Sequence, residues 1–141
     1  MSRAQVWTFH AGTIFVGGSG LVYGWMRYLA VSEDPYSVVN HPLQPDVQHL
    51  HVLTAPLLVF AAGLLWSSHA MARHAAGVRA RRSTGILLAF VLFPMILSGY
   101  ALQVSVDESW RRAWIWVHAI TSVVWIVGAL MHPFKRARSS A

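Results

Sequence analysis

The apolar residues of the chain fall into four long blocks instead of an alternating pattern. A transmembrane helix needs about 20 mostly apolar residues to cross ~30 Å of hydrocarbon. The blocks therefore predict spans over 6–30, 47–70, 84–104 and 112–132. The expected fold is all-α: an integral membrane four-helix bundle, one domain over residues 1–141. The first block is long and lacks a small-residue cleavage pattern, so it reads as a retained helix and not as a signal peptide.

The polar segments between the blocks give an orientation. Segment 32–46 is rich in proline and carries Glu33, Asp34 and Asp46. The connection between the second and third blocks carries Arg73, Arg79, Arg81 and Arg82 without an acid, and the tail carries Lys135, Arg136 and Arg138. Positive charge accumulates on the cytoplasmic side. That rule places the basic connection and both termini in the cytoplasm, with the Asp34 loop and the Asp107–Arg112 turn on the opposite side. Arg111 and Arg112 run against it. Trp7, Trp66, Trp110 and Trp114 fall near span ends, where amphipathic rings anchor at headgroups.

Composition agrees. Of 141 residues, 55% are hydrophobic and 11% charged, against about 25% charged in a soluble domain. The net charge of +6 lies beside apolar spans, which fits membrane orientation and argues against nucleic acid as a partner. There are no cysteines, which excludes disulfides, thiolate metal sites, cysteine-ligated iron–sulfur clusters and covalent c-type haem attachment. Any cofactor must be held by histidine or by weaker ligands, and eight histidines are present beside five acidic residues.

Short stretches echo one another. His51-Val52-Leu53-Thr54 in the second block resembles His118-Ala119-Ile120-Thr121 in the fourth. Ser19-Gly20 in the first matches Ser98-Gly99 in the third, whereas Ala89 stands where the first block has His10. The chain reads as two related helical hairpins.

Imidazole inside a bilayer is costly unless it is paired, hydrated or bound. A lone histidine there is ordinarily a helix–helix hydrogen bond, but here several fall at matched depths. His118 and His132 are 14 residues apart, nearly four turns, which sets them on one helix face ~21 Å apart. His10, Gly17 and Gly24 follow at steps of seven on the first block, and the glycines would leave room for a flat ring. His51, Ala55, Ala62 and His69 share a face of the second. His51 and His118 lie near the outer ends of their helices, while His10, His69 and His132 lie near the cytoplasmic ends. Paired imidazoles at two levels with small residues between them are what two bis-histidine haems in a helix bundle require. At the inner level three histidines compete for two positions, because Pro133 disfavours helical geometry at His132 and His69 is the substitute. His41 in the loop and His74 in the basic connection read as solvated, and His49 lies closer to water than His51. Arg27, Arg111, Arg112, Arg3 and Arg73 stand where haem propionates would meet them or where they would anchor at the interface.

The set His10 with Ser19-Gly20, His51, His118 and His132 resembles the bacterial di-haem cytochrome b superfamily, which includes the membrane subunits of formate dehydrogenases and nickel–iron hydrogenases. The resemblance covers all four blocks through short motifs. It implies that His51 and His118 hold the iron of an outer haem b, and that His10 and His132 hold that of an inner one, with His69 as an alternative inner ligand. It also implies quinone exchange near one haem, although no residue locates a quinone pocket. The chain has no long extension of the kind that docks a catalytic subunit.

The function expected is that of a non-catalytic electron-transfer subunit in a bacterial inner membrane. It would carry electrons between the quinone pool and a redox partner such as a multihaem c-type cytochrome or an iron–sulfur protein. The competing reading is a cofactor-free structural or assembly subunit whose histidines make interhelical hydrogen bonds. A small transporter or proton channel is weaker, because the spans hold no membrane-embedded carboxylate and show no break.

Overall fold

A computed structural model describes residues 2–78 and 81–132. Arg79, Pro133 and the basic tail with Lys135, Arg136 and Arg138 lie outside the described residues. All regular structure described is helical: α1 (Arg3–Tyr28), α2 (Gln44–Leu65), a widened turn at Trp66–Met71, the single-turn α3 (Ala72–Ala75), α4 (Arg82–Val104) and α5 (Glu108–Met131). Three stretches are long and apolar enough to cross a membrane: Gln44–Ala75, Arg82–Val104 and Glu108–Met131. Thus three of the four expected spans are met. α1 has the length, 26 residues or about 39 Å. It is less apolar than the others because Thr8, His10, Thr13, Ser19 and several glycines interrupt it.

The starts of α1 and α5 are set by side-chain caps more than by the first apolar residue. Ser2 and Gln5 form a reciprocal capping box that begins α1 at Arg3, satisfying orphan amides at the helix end. Asp107 accepts from the amides of Ser109 and Trp110 and begins α5 at Glu108. Pro45 lies in the first turn of α2, where its missing N–H costs nothing. At the far end of α3, Gly77 adopts φ +65° and the amide of Val78 reaches the carbonyl of Arg73 at 3.1 Å, a left-handed helix stop.

An unbroken second helix was expected over 47–70, but the helix widens to i→i+5 hydrogen bonding at Trp66–Met71. The Ser68 hydroxyl donates to the carbonyl of Leu64 at 2.8 Å. Widened turns of this kind recur at functional sites.

The chain divides into two compact units, 1–71 and 72–141. The first is an antiparallel hairpin of α1 and α2. Its pairing is close because Gly12 faces the backbone of Leu58: a Cβ at Gly12 would lie 3.3 Å from Leu58 Cα. Seven residues further along α1, Ser19 meets His51, seven residues back along α2. Val16, Met26, Leu58 and Ala61 are the buried apolar residues. Loop residues close its end: Asn40 Nδ2 donates to the carbonyl of Arg27 at 2.8 Å, and the Asn40 amide donates to buried Gln44 at 3.2 Å.

The second unit is an antiparallel hairpin of α4 and α5. Here the glycine is on the later helix, and a Cβ at Gly128 would lie 3.0 Å from Leu88 Cδ2. Val91, Ser98 and Trp125 are buried. In both units the outward side chains are largely apolar, among them Phe60, Phe90, Phe93 and Leu130. So much exposed hydrocarbon is a liability in water and ordinary against lipid.

Candidate histidine sites

In the first hairpin His51 turns its ring toward α1. Its Nδ1 lies 3.0 Å from the carbonyl oxygen of Val16 and 3.2 Å from the hydroxyl oxygen of Ser19. A carbonyl oxygen can only accept, so Nδ1 carries the proton and, in the neutral ring, Nε2 carries the lone pair. The Ser19 hydroxyl donates to the same carbonyl at 3.1 Å, which leaves its oxygen to accept from the imidazole. Gly20 gives the ring its place, because a Cβ there would lie 2.8 Å from His51 Cε1.

The second hairpin repeats the imidazole contacts, although its serine hydroxyl donates most closely to the carbonyl four residues back instead of three. His118 Nδ1 lies 3.0 Å from the carbonyl oxygen of Met95 and 3.3 Å from the hydroxyl of Ser98. The Ser98 hydroxyl donates to the carbonyl of Pro94 at 2.6 Å. A Cβ at Gly99 would lie 3.1 Å from His118 Cε1. The residue after each histidine turn also matches: Thr54 donates to the carbonyl of Leu50 at 2.7 Å and Thr121 to that of Val117 at 2.6 Å. The sequence echo is thus an echo of contacts.

One reason explains both copies. The carbonyl oxygen of helix residue i leans toward the side chains at i+3 and i+4. With serine and glycine there, the oxygens of Val16 and Met95 are left open to a donor from the neighbouring helix. A larger pair would cover them.

His132 lies fourteen residues beyond His118 on α5 and meets α4 in the same antiparallel register. Its Nδ1 is 2.9 Å from the hydroxyl of Thr84, fourteen residues before Ser98. That hydroxyl donates to the carbonyl of Arg81 at 3.0 Å, so its oxygen accepts from the imidazole. Despite Pro133, His132 keeps helical angles (φ −55°, ψ −44°) and its amide closes on the carbonyl of Gly128 at 2.9 Å. The side chain is therefore held inside the hairpin.

The other candidates are placed differently. His10 is exposed on α1, edge-on to Phe9 with ring centroids 6.2 Å apart. It shares a line of the helix with Gly17 and Gly24, distinct from the line Gly12, Val16, Ser19 and Met26 buried against α2. A Cβ at Gly24 would meet nothing within 4 Å. His69 is half-buried within the widened turn. His49 and His74 are exposed, and His74 Nδ1 faces an Arg82 guanidinium nitrogen at 3.4 Å.

His41 differs from its expected solvation. It is half-buried, its ring lies 6.0 Å from that of Trp25, and its Nδ1 accepts from the Leu43 amide at 3.1 Å. Of the arginines considered for propionates, Arg111 donates to the carbonyl of Leu102 at 3.2 Å, and Arg112 pairs with Glu108 at 3.8 Å on the exposed face of α5.

Among the described residues no three His, Asp or Glu side chains converge; haem iron takes only two ligands from the protein. The roles of Ser19, Ser98 and Thr84 were missed in sequence reasoning, although a hydroxyl residue followed by glycine was the signal. No family model matches the chain, and neither curated proteins nor solved structures yield a match.

Proposed function

We propose that the chain is a b-type di-haem cytochrome subunit, crossing a bacterial inner membrane four times with both termini cytoplasmic. It carries electrons between the quinone pool and a redox partner protein. The observation that carries this reading is the matched pair of imidazoles, each with its proton held on Nδ1 by a backbone carbonyl, His51 by Val16 and His118 by Met95. Histidine ligands of metals ordinarily donate their second N–H to such a partner, which fixes the tautomer and raises the basicity of the ligating nitrogen. On that ground His51 and His118 fit haem, which they would hold through Nε2.

By the sequence reading, His51 and His118 hold the outer haem, and His10 and His132 the inner one, with His69 as the alternative inner ligand. Gly17 and Gly24 leave space for a flat ring. Bound haem supplies a one-electron ferric/ferrous couple. The chain's own part is to orient the imidazoles, to keep each ligand proton at Nδ1 and to exclude water with apolar helix surfaces. A dithionite-reduced minus oxidised spectrum of the purified protein tests the proposal: b-type bands are expected, and absence of a Soret band overturns it.

A second reading is favoured by the same contacts. Each imidazole knits two helices of one hairpin, as in a cofactor-free assembly subunit. On that reading His51→Ala and His118→Ala lower hairpin stability and leave the pigment of any host complex unchanged.

A further inference from the structure

The sequence contains three places where serine or threonine is followed by glycine: Ser19-Gly20, Thr84-Gly85 and Ser98-Gly99. Each of the three meets one histidine of the next helix, and in the same way. The hydroxyl oxygens lie 3.2 Å from His51 Nδ1, 2.9 Å from His132 Nδ1 and 3.3 Å from His118 Nδ1. The glycines face Cε1 of those same rings, at 2.8, 3.7 and 3.1 Å from a would-be Cβ. In the first hairpin α1 and α2 hold Ser19-Gly20 alone of these dipeptides.

From this recurrence we infer that the hydroxyl–glycine dipeptides are positioning cradles, which tune the basicity of His51, His118 and His132 as ligands and, at His132, also fix the tautomer. This rests on the haem proposal and deepens it. At Gly20 and Gly99 the glycine admits the ring edge against the neighbouring helix, whereas at Gly85 a Cβ would make only ordinary contact. The hydroxyl, with its own proton committed to a carbonyl of its helix, accepts from Nδ1–H and pushes electron density toward Nε2. A more electron-rich ligand favours ferric iron, so losing the hydroxyl raises the reduction potential of that haem. The three cradles differ in degree. At His132 the hydroxyl is the near acceptor, whereas at His51 and His118 it stands slightly behind a carbonyl at 3.0 Å. Thr84→Val therefore moves the potential further than Ser19→Ala or Ser98→Ala.

The test uses full-length purified protein labelled with ¹⁵N-histidine, reduced so that low-spin haem is diamagnetic, together with a potentiometric titration. Nδ1–H signals are expected for His51, His118 and His132. Each hydroxyl-deletion variant should keep its haem content while raising one of two midpoint potentials, and Thr84→Ser should restore the wild-type value. Nε2–H tautomers in the wild type, or potentials unmoved in all three variants, overturn the inference. Nδ1–H signals in a protein that carries no haem uphold the cradles and overturn the haem proposal alone.

Discussion

His118 Nδ1 lies 3.0 Å from the carbonyl oxygen of Met95 on the facing helix, and that contact settles which nitrogen of the ring bears the proton. His51 and Val16 stand in the same relation. Two hairpins of one chain therefore present imidazole with the same tautomer and orientation, and the glycine beside each ring decides whether the geometry can form.

The glycines make a graded prediction. Alanine in a helix interior is about 1 kcal/mol better than glycine, whereas forcing atoms into a packed contact costs about 1–3 kcal/mol. The would-be Cβ contacts are 2.8 Å at Gly20, 3.1 Å at Gly99 and 3.7 Å at Gly85. Gly20→Ala should destabilise most, Gly99→Ala less, and Gly85→Ala should be neutral or stabilising. Thermal unfolding in detergent reads the order, and equal effects at all three would contradict it.

Gly12 and Gly24 separate packing from cofactor space. Leucine at Gly12 must push α1 off the backbone of Leu58, at a cost of about 1–3 kcal/mol. At Gly24 a Cβ would meet nothing within 4 Å, so a larger side chain starts into open space. Gly12→Leu should lower the unfolding temperature; Gly24→Leu should leave it in place and lower haem content. Loss of stability from Gly24→Leu would show that the position is a packing glycine.

Asp107 closes the open end of α5 through two backbone amides. Asp107→Ala should cost about 1 kcal/mol, and Asp107→Asn or Asp107→Ser should recover most of it. An unchanged unfolding midpoint for the alanine variant would show that the helix start is held by other contacts.

The absence of native cysteine makes topology directly measurable. Single cysteines at the exposed positions Ala4 and Ala76 should label from the cytoplasmic side, and those at Ser37 and Ser109 from the opposite side. Ala4 and Ser37 labelling from one side would mean that α1 does not cross.

Much of this architecture was legible in the sequence because a helix in lipid must be long and apolar, and three of the four blocks are helices that meet both conditions. Boundaries moved where capping chemistry decides them: Ser2 and Gln5 start α1 earlier than the apolar block, and Asp107 starts α5 before Arg112. The widened turn at Trp66–Met71 was not legible, since no residue type there marks it: the i→i−4 hydroxyl bond of Ser68 recurs at Thr8, Thr54 and Thr121 in regular helix. The Ser-Gly echo was visible as a repeat, but its use was not. Only the antiparallel register, which sets Ser19 against His51 and Ser98 against His118, turns a dipeptide into an imidazole cradle. Thr84 has no counterpart in the echo, so the repeat does not point to it. His41 reads as a solvated loop residue because nothing local predicts its approach to Trp25.

The central claim is tested most directly by a pyridine haemochrome assay with protein quantification on the wild type and on His51→Ala and His118→Ala. The account predicts two haem b per chain in the wild type, with each variant losing the same one and keeping the other. A purified, folded wild type without haem, or variants that keep both haems, would contradict it.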